Sequence, residues 1–216
     1  MPEILIYDYI GPAWLGLVDA KSVVDQLKEL SGQRVTLRIN SRGGSADEAF
    51  AIYNAIGRHP GGVDVEIDGI AASAASMIAM GAKSVRMAAN ATMMIHKART
   101  LAEGTADDFR QAADVLDGYD ERINELYVAR AKGKADAEQV KAWIAAETWF
   151  NAKQAVEHGL ADGIGQELAV ANETKVPVNL YRNTPANLLE TEPVKRVSPW
   201  AKIERMRLEI EKRRTA

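Results

Sequence analysis

The stretch "DGIAASAASMIAMGA", residues 68–82, places two hydroxyls, Ser73 and Ser76, inside a run of small apolar residues. Three positions apart, they share a face if the run is helical. Ser73 follows an alternating apolar segment and Gly69, and so falls in the first turn of the expected helix. Free backbone N–H groups and the helix dipole favour negative charge there. A serine so placed can attack a carbonyl carbon while the next N–H helps hold the oxyanion. The competing reading is a helix-capping serine whose alanine neighbours permit close packing.

A serine nucleophile needs a base, and the chain has three histidines. His59 precedes Pro60 in a helix-ending turn. His158 falls in a last helical turn, where positive charge is favoured anyway. His96 ends the run "ATMMIH", at the strand terminus where a parallel sheet gathers its site. Glu147, in "AAETWF", is the candidate carboxylate to orient the imidazole; a solvated surface glutamate is the alternative. "NSRGG", residues 40–44, offers backbone donors, because Gly43 and Gly44 can turn with positive φ and present N–H groups. An ordinary strand-to-helix turn would also favour the pair.

These residues need elements to position them. "EILIY" (3–7), "RVTLRIN" (34–40) and "VDVEID" (63–68) alternate like strands. Residues 20–30 carry a helical stripe at Val23, Val24, Leu27 and Leu30. A second helix starts at Ser45 as N-cap, with Asp47 and Glu48 in its first turn, and ends by Gly57 and Pro60. Residues 69–82 read as a glycine turn and helix, and 83–96 as two short extended pieces around Asn90. Strand, glycine turn and helix in repetition imply βαβ units and a largely parallel sheet. The turns at Gly43-Gly44 and Gly69 then lie at the carboxyl ends of strands. The second half is helical. Residues 105–133 open with Thr105 and Asp108 in capping-box spacing and carry Phe109, Ala112, Leu116, Ile123, Leu126 and Tyr127 as a stripe. Residues 136–147 and 151–159 are shorter helices.

The 216 residues include no cysteine, which excludes disulfides and thiolate metal sites. A net charge of −3 and a pI near 5.7 do not suggest a nucleic-acid binder. No apolar run approaches the roughly 18 residues of a membrane span, and the start has no signal-peptide pattern. The character changes after Ile164. Residues 172–200 hold four of the seven prolines. We therefore expect a domain over 1–166, a proline-rich linker over 167–199 and a basic amphipathic helix over 200–216. From Pro193 onward eight Lys/Arg stand against three Glu.

"INSRGG", "GIAAS" (69–73), "MMIH" (93–96) and "ETWFNAKQAVEHGLAD" (147–162), in this order, resemble motifs of the Clp protease proteolytic-subunit family. The similarity extends from about Ile4 to Ile164 and is nearest to the branch of phage head-maturation (prohead) proteases. It implies an α/β fold, a ClpP/crotonase-like spiral of βαβ units with a helical handle over 105–132. It implies Ser73 as nucleophile and His96 as base, with Ser76 as a packing serine. Backbone N–H groups of Gly43 or Gly44 and of Ala74 would form the oxyanion hole. The family usually has Asp as the acid; a one-residue offset places Glu147 there. Arg42 stands where the family has Pro. Only two or three residues precede the first strand, so the family's N-terminal arm is not expected.

The resulting expectation is a self-compartmentalising serine endopeptidase, a ring homo-oligomer cleaving scaffold or capsid-precursor protein in the host cytoplasm or inside the prohead. No metal, nucleotide, membrane or nucleic acid is required. The alternatives are a housekeeping Clp-type peptidase, stand-alone or ATPase-dependent, a crotonase-type acyl-CoA enzyme, and a non-catalytic ring-forming shell protein.

Overall fold

The computed structural model describes residues 1–165, 176–177 and 180–190. Strand β1 (Glu3–Ile6) leads to α1 (Ala20–Glu29), β2 (Val35–Ser41), α2 (Ala46–Arg58), β3 (Val63–Ala72), α3 (Ala74–Met80), β4 (Ser84–Met87) and β5 (Thr92–Ile95). Helices α4 (Ala106–Ala131) and α5 (Ala137–Ala145) follow, then β6 (Thr148–Asn151), α6 (Ala152–Glu157) and β7 (Gly163–Ile164). The strands form one sheet in the order β1-β2-β3-β4-β7, with β5 paired to β3 and to β6. Every pairing is parallel except β5 with β6. The fold is thus the expected α/β arrangement.

Alternation decides which face is core. Val35, Leu37 and Ile39 of β2 and Val63, Val65 and Ile67 of β3 are fully buried and belong to one cluster with Val23 and Leu27 of α1 and Ile52 and Ile56 of α2. The intervening positions hold ion pairs. Arg34 reaches Asp64 at 2.5 Å, and Arg38 grips Asp68 through two nitrogens at 2.9 and 2.5 Å. The helix starts are capped as expected: Ser45 accepts from the Glu48 N–H, and Thr105 with Asp108 completes a capping box.

Two expectations fail. Gly69 is not a turn: β3 runs ten residues, through Gly69 to Ala72. Its first half pairs with β4 through Asp64–Ile67 and its last residues with β5 through Ile70–Ala72. Gly69 lies between these two partners, a position where a strand interior tolerates glycine. Helix α3 is correspondingly only seven residues long. Residues 148–151 are not a break between helices but strand β6, which pairs with β5.

The helix α4 stripe divides along its length. Ile123, Leu126 and Tyr127 are buried, whereas Ala112 and Leu116 are half-buried and Phe109 remains 51% exposed, as does the neighbouring Val115 at 59%. At the other end, Arg130 is buried, donates to the Ala82 carbonyl at 3.0 Å and pairs with Asp162.

The chain divides into two compact units, Met1–Thr174 and Lys175–Ala216. In the second, Val176 bridges Leu189 and a 3-10 turn spans Ala186–Leu188. Most of the expected linker and all of the expected basic helix lie outside the described residues.

Candidate active site

Ser73 is itself the turn between β3 and α3. Its φ of 56° and ψ of −126° lie where a residue with a side chain is strained, at about 1–3 kcal/mol. The surroundings hold it there. The Ser73 N–H donates to the Met94 carbonyl at 2.9 Å, and its own carbonyl accepts from the Ser76 N–H at 2.9 Å. This sharp turn leaves the hydroxyl partly exposed at the carboxyl end of the strand. Its Oγ lies 2.8 Å from Nε2 of His96.

His96 follows β5 directly, so the two residues meet because β5 lies parallel beside the end of β3. Burial, with a further contribution from the Arg99 charge, pushes the His96 pKa down from 6.5 to about 4. The imidazole is therefore neutral at pH 7 and able to accept a proton.

Glu147 is the second of the two residues between α5 and β6, after the C-cap Ala146, and has φ 52°. The β5–β6 register pairs Met94 with Trp149 and Ile95 with Thr148. That ladder ends at Ile95 and Thr148, one residue before His96 on one strand and one residue after Glu147 on the other. The other acids near these elements are engaged elsewhere. Asp120 accepts from the Ala98 N–H at 2.7 Å and pairs with Lys97 at 3.3 Å. Asp162 accepts from the Val85 N–H at 2.8 Å and pairs with Arg130. Burial opposes its ionisation, but the N–H bond and the cations Arg130 and Lys132 hold its carboxyl below the usual range.

Ser76 plays a different part. It is fully buried, and its Oγ contacts the Ser73 carbonyl at 2.7 Å, the Met94 carbonyl at 2.9 Å and the Tyr127 hydroxyl at 2.7 Å. It ties α3 to β5 and α4. The remaining histidines lie elsewhere: His59 Nε2 meets the Gln33 carbonyl at 2.8 Å, and His158 packs on Trp143 and Phe150.

The two glycines of the 40–44 turn are not equivalent. Gly43 lies against the serine turn: a Cβ there would fall 2.5 Å from the Ala72 carbonyl oxygen and 2.8 Å from the Ser73 Cβ. Its N–H, however, donates to Ser41 Oγ at 3.1 Å. No hydrogen bond among the described residues uses the N–H of Gly44 or of Ala74. Two residues that sequence reasoning passed over shape this turn. Asn40 Oδ1 accepts from the Ile70 N–H at 3.2 Å where the β2–β3 register shifts. Ser41, buried, holds the loop from within. The signal was present in the Asn-Ser pair, since such short side chains bond to nearby backbone in turns.

The histidine's environment sets a pH dependence. Because its neutral form persists to about pH 4, we expect the rate of peptide cleavage to hold nearly level from pH 7 to about 5.5. A base titrating at its ordinary value would lose roughly tenfold over that interval. Arg99→Ala should raise the His96 pKa and move the acidic limb upward. A kcat/KM profile with its limb near 6.5, unmoved by Arg99→Ala, would contradict this.

Residues 17–168 match the family described as Clp protease. A curated relative, the ATP-dependent Clp protease proteolytic subunit 3 of Streptomyces coelicolor, is 33% identical over 158 residues, covering 70% of this chain and 72% of that protein. Among solved structures, a ClpP1 mutant from Listeria monocytogenes superposes with a TM-score of 0.66 at 24% identity, over 76% of this chain and 91% of the other. That second likeness speaks for the fold.

Proposed function

This chain belongs to the Clp protease family, and on that premise we propose that it is a serine endopeptidase in which Ser73 is the nucleophile and His96 the base. The observation that carries the reading is the 2.8 Å approach of a neutral imidazole to a hydroxyl held on a strained strand-to-helix turn. Ser73 Oγ attacks the scissile carbonyl carbon as His96 Nε2 takes its proton. The developing oxyanion receives the N–H groups of Gly44 and Ala74. Collapse breaks the C–N bond, and His96 returns the proton to the leaving amine. Water, deprotonated by His96, then hydrolyses the acyl ester and frees Ser73. Glu147 orients the imidazole and stabilises its transient positive charge. Substrate binds extended beside the Gly43-Gly44 edge. Covalent labelling of the intact protein by a fluorophosphonate tests the assignment, because only an activated serine reacts.

The substrate we propose is a phage head protein, scaffold or capsid precursor. The support is the motif resemblance to the head-maturation branch. Co-expression with a capsid precursor, scored by precursor trimming in the presence of Ser73 and its loss in Ser73→Ala, tests this finer reading. A housekeeping role is favoured instead by the ATP-dependent subunit among its relatives; stimulation of protein degradation by an ATP-driven unfoldase would establish it.

Members of this family form rings, and we extend that to this chain. The exposed half of α4, with Phe109 and Val115 facing solvent in the single chain, supports an interface there. Leu116→Glu is expected to dissociate the assembly without unfolding the subunit, because a charge buried without a partner is costly. Sedimentation of the unmodified protein as a monomer would refute the ring.

A further inference from the structure

The loop that carries the oxyanion donor is held from inside by one hydroxyl, and nothing in the mechanism above uses it. Ser41 is 1% exposed. Its Oγ–H donates to the Asp8 carbonyl at 2.7 Å, and the same oxygen accepts from the Gly43 N–H at 3.1 Å. That is one donation and one acceptance, a satisfied hydroxyl. The segment it grips is clamped on two sides. On one, the Ile10 N–H donates to the Gly43 carbonyl and the Ser45 N–H to the Ile10 carbonyl, both at 2.9 Å. A Cβ on Gly44 would lie 1.9 Å from the Ile10 carbonyl oxygen, so the backbones touch directly. On the other side, Gly43 packs on residues 72–74, the nucleophile's own turn.

Resting on the protease reading, we propose that Ser41 is a positioning residue of the oxyanion hole. By holding the Gly43 N–H inward it removes that group from the site and turns the next peptide, so that the Gly44 N–H is the one presented beside Ala74. The ladder between β2 and β3 shifts register just before this point, from Ile39↔Ile67 to Ser41↔Ala71. The side chains of Asn40 and Ser41 there take over bonds that backbone pairing does not supply. An oxyanion donor acts through its fixed direction, which costs no reorganisation during reaction. Loosening the loop therefore weakens the transition state and leaves ground-state binding nearly intact.

The test compares unmodified protein with Ser41→Ala, which leaves the Asp8 carbonyl and Gly43 N–H without their shared partner. Loss of a whole oxyanion donor costs about a hundredfold or more in kcat. For its misalignment we expect about tenfold to a hundredfold, with KM changed less than about threefold. Affinity for a peptide aldehyde, whose hemiacetal oxygen occupies the oxyanion site, should fall by the same factor as kcat/KM. Affinity for the product peptide acid should hold, and the acidic limb set by His96 should not move. A merely structural serine would not couple the aldehyde to kcat/KM while sparing the product. Ser41→Cys, similar in volume but weak in hydrogen bonding, carries the same comparison if Ser41→Ala does not fold; collapse of both variants would make Ser41 a folding residue and overturn the assignment. Undiminished kcat in a folded variant, or equal loss of aldehyde and product binding, overturns it too. Absence of fluorophosphonate labelling in the unmodified protein instead removes the protease reading, and this inference with it.

Discussion

Ser73→Ala is expected to abolish fluorophosphonate labelling and to lower peptide hydrolysis by about 10⁵-fold or more, the scale seen when a serine nucleophile is removed from such a constellation. The fold should survive and even gain slightly, since alanine removes a hydroxyl that makes no structural contact beyond His96 while the strained turn persists. Ser76→Ala should do the opposite. Its hydroxyl is shared by two carbonyls and the buried Tyr127 hydroxyl. Removing it leaves buried polar groups unpaired, at about 1–3 kcal/mol. The melting temperature should drop while the folded fraction still labels at Ser73. Full activity in Ser73→Ala, or loss of labelling in a well-folded Ser76→Ala, would reverse the roles of the two serines. Their spacing of three does place them on adjoining positions of one short helix start. What separates them is access: one sits on the turn and meets His96, the other points into the seam between α3, β5 and α4.

Much of this arrangement was legible in residue types, and the misses share a physical cause. Alternation and capping residues located β1, β2, α1, α2 and α4, because each is decided by local chemistry. The end of β3 was not so decided. Glycine usually punctuates a strand, but Gly69 lies where β3 passes from one neighbour to another, and pairing with β5 carries the strand three residues further. That extension moves the turn onto Ser73 and supplies the strain that exposes its hydroxyl. Strand β6 was hidden for a similar reason. Four residues, "TWFN", are too few for a period, and their extended form depends on β5 as partner. The ladder that β6 completes ends at Ile95 and Thr148, next to residues 96 and 147, a relation that spacing along the chain does not contain. The Gly43-Gly44 turn was visible, but not the division of labour within it, since that rests on the contact of residues 8–10 with residues 41–45.

The second large effect concerns the base and the acid proposed to support it. His96→Ala should cost about as much as loss of the nucleophile, because residues of such a set act as a unit. Glu147→Gln should cost less, about 10²- to 10⁴-fold in kcat, and the reason lies in the histidine's environment. An imidazole whose pKa is held near 4 by burial and Arg99 is neutral at pH 7 but a reluctant proton acceptor. Taking the serine's proton creates a buried cation near an arginine. The oxyanion offsets part of that cost, and the proposed role of the Glu147 carboxylate is to offset more of it. Glutamine keeps the shape and loses the charge, so the loss should fall on kcat more than on KM. The φ of 52° at position 147 gives its Cα–Cβ bond a different direction from that of the extended residues of β6, and Asp is one methylene shorter than Glu. Glu147→Asp should therefore retain less activity than its shared charge would suggest. Asp120→Asn and Asp162→Asn should chiefly lower the melting temperature, since those carboxylates bond the Ala98 and Val85 N–H groups. A fully active Glu147→Gln alongside a folded but inactive Asp120→Asn or Asp162→Asn would move the acid to that residue, and would mean that the position of Glu147 beside the end of the β5–β6 ladder has no consequence for the proton transfer.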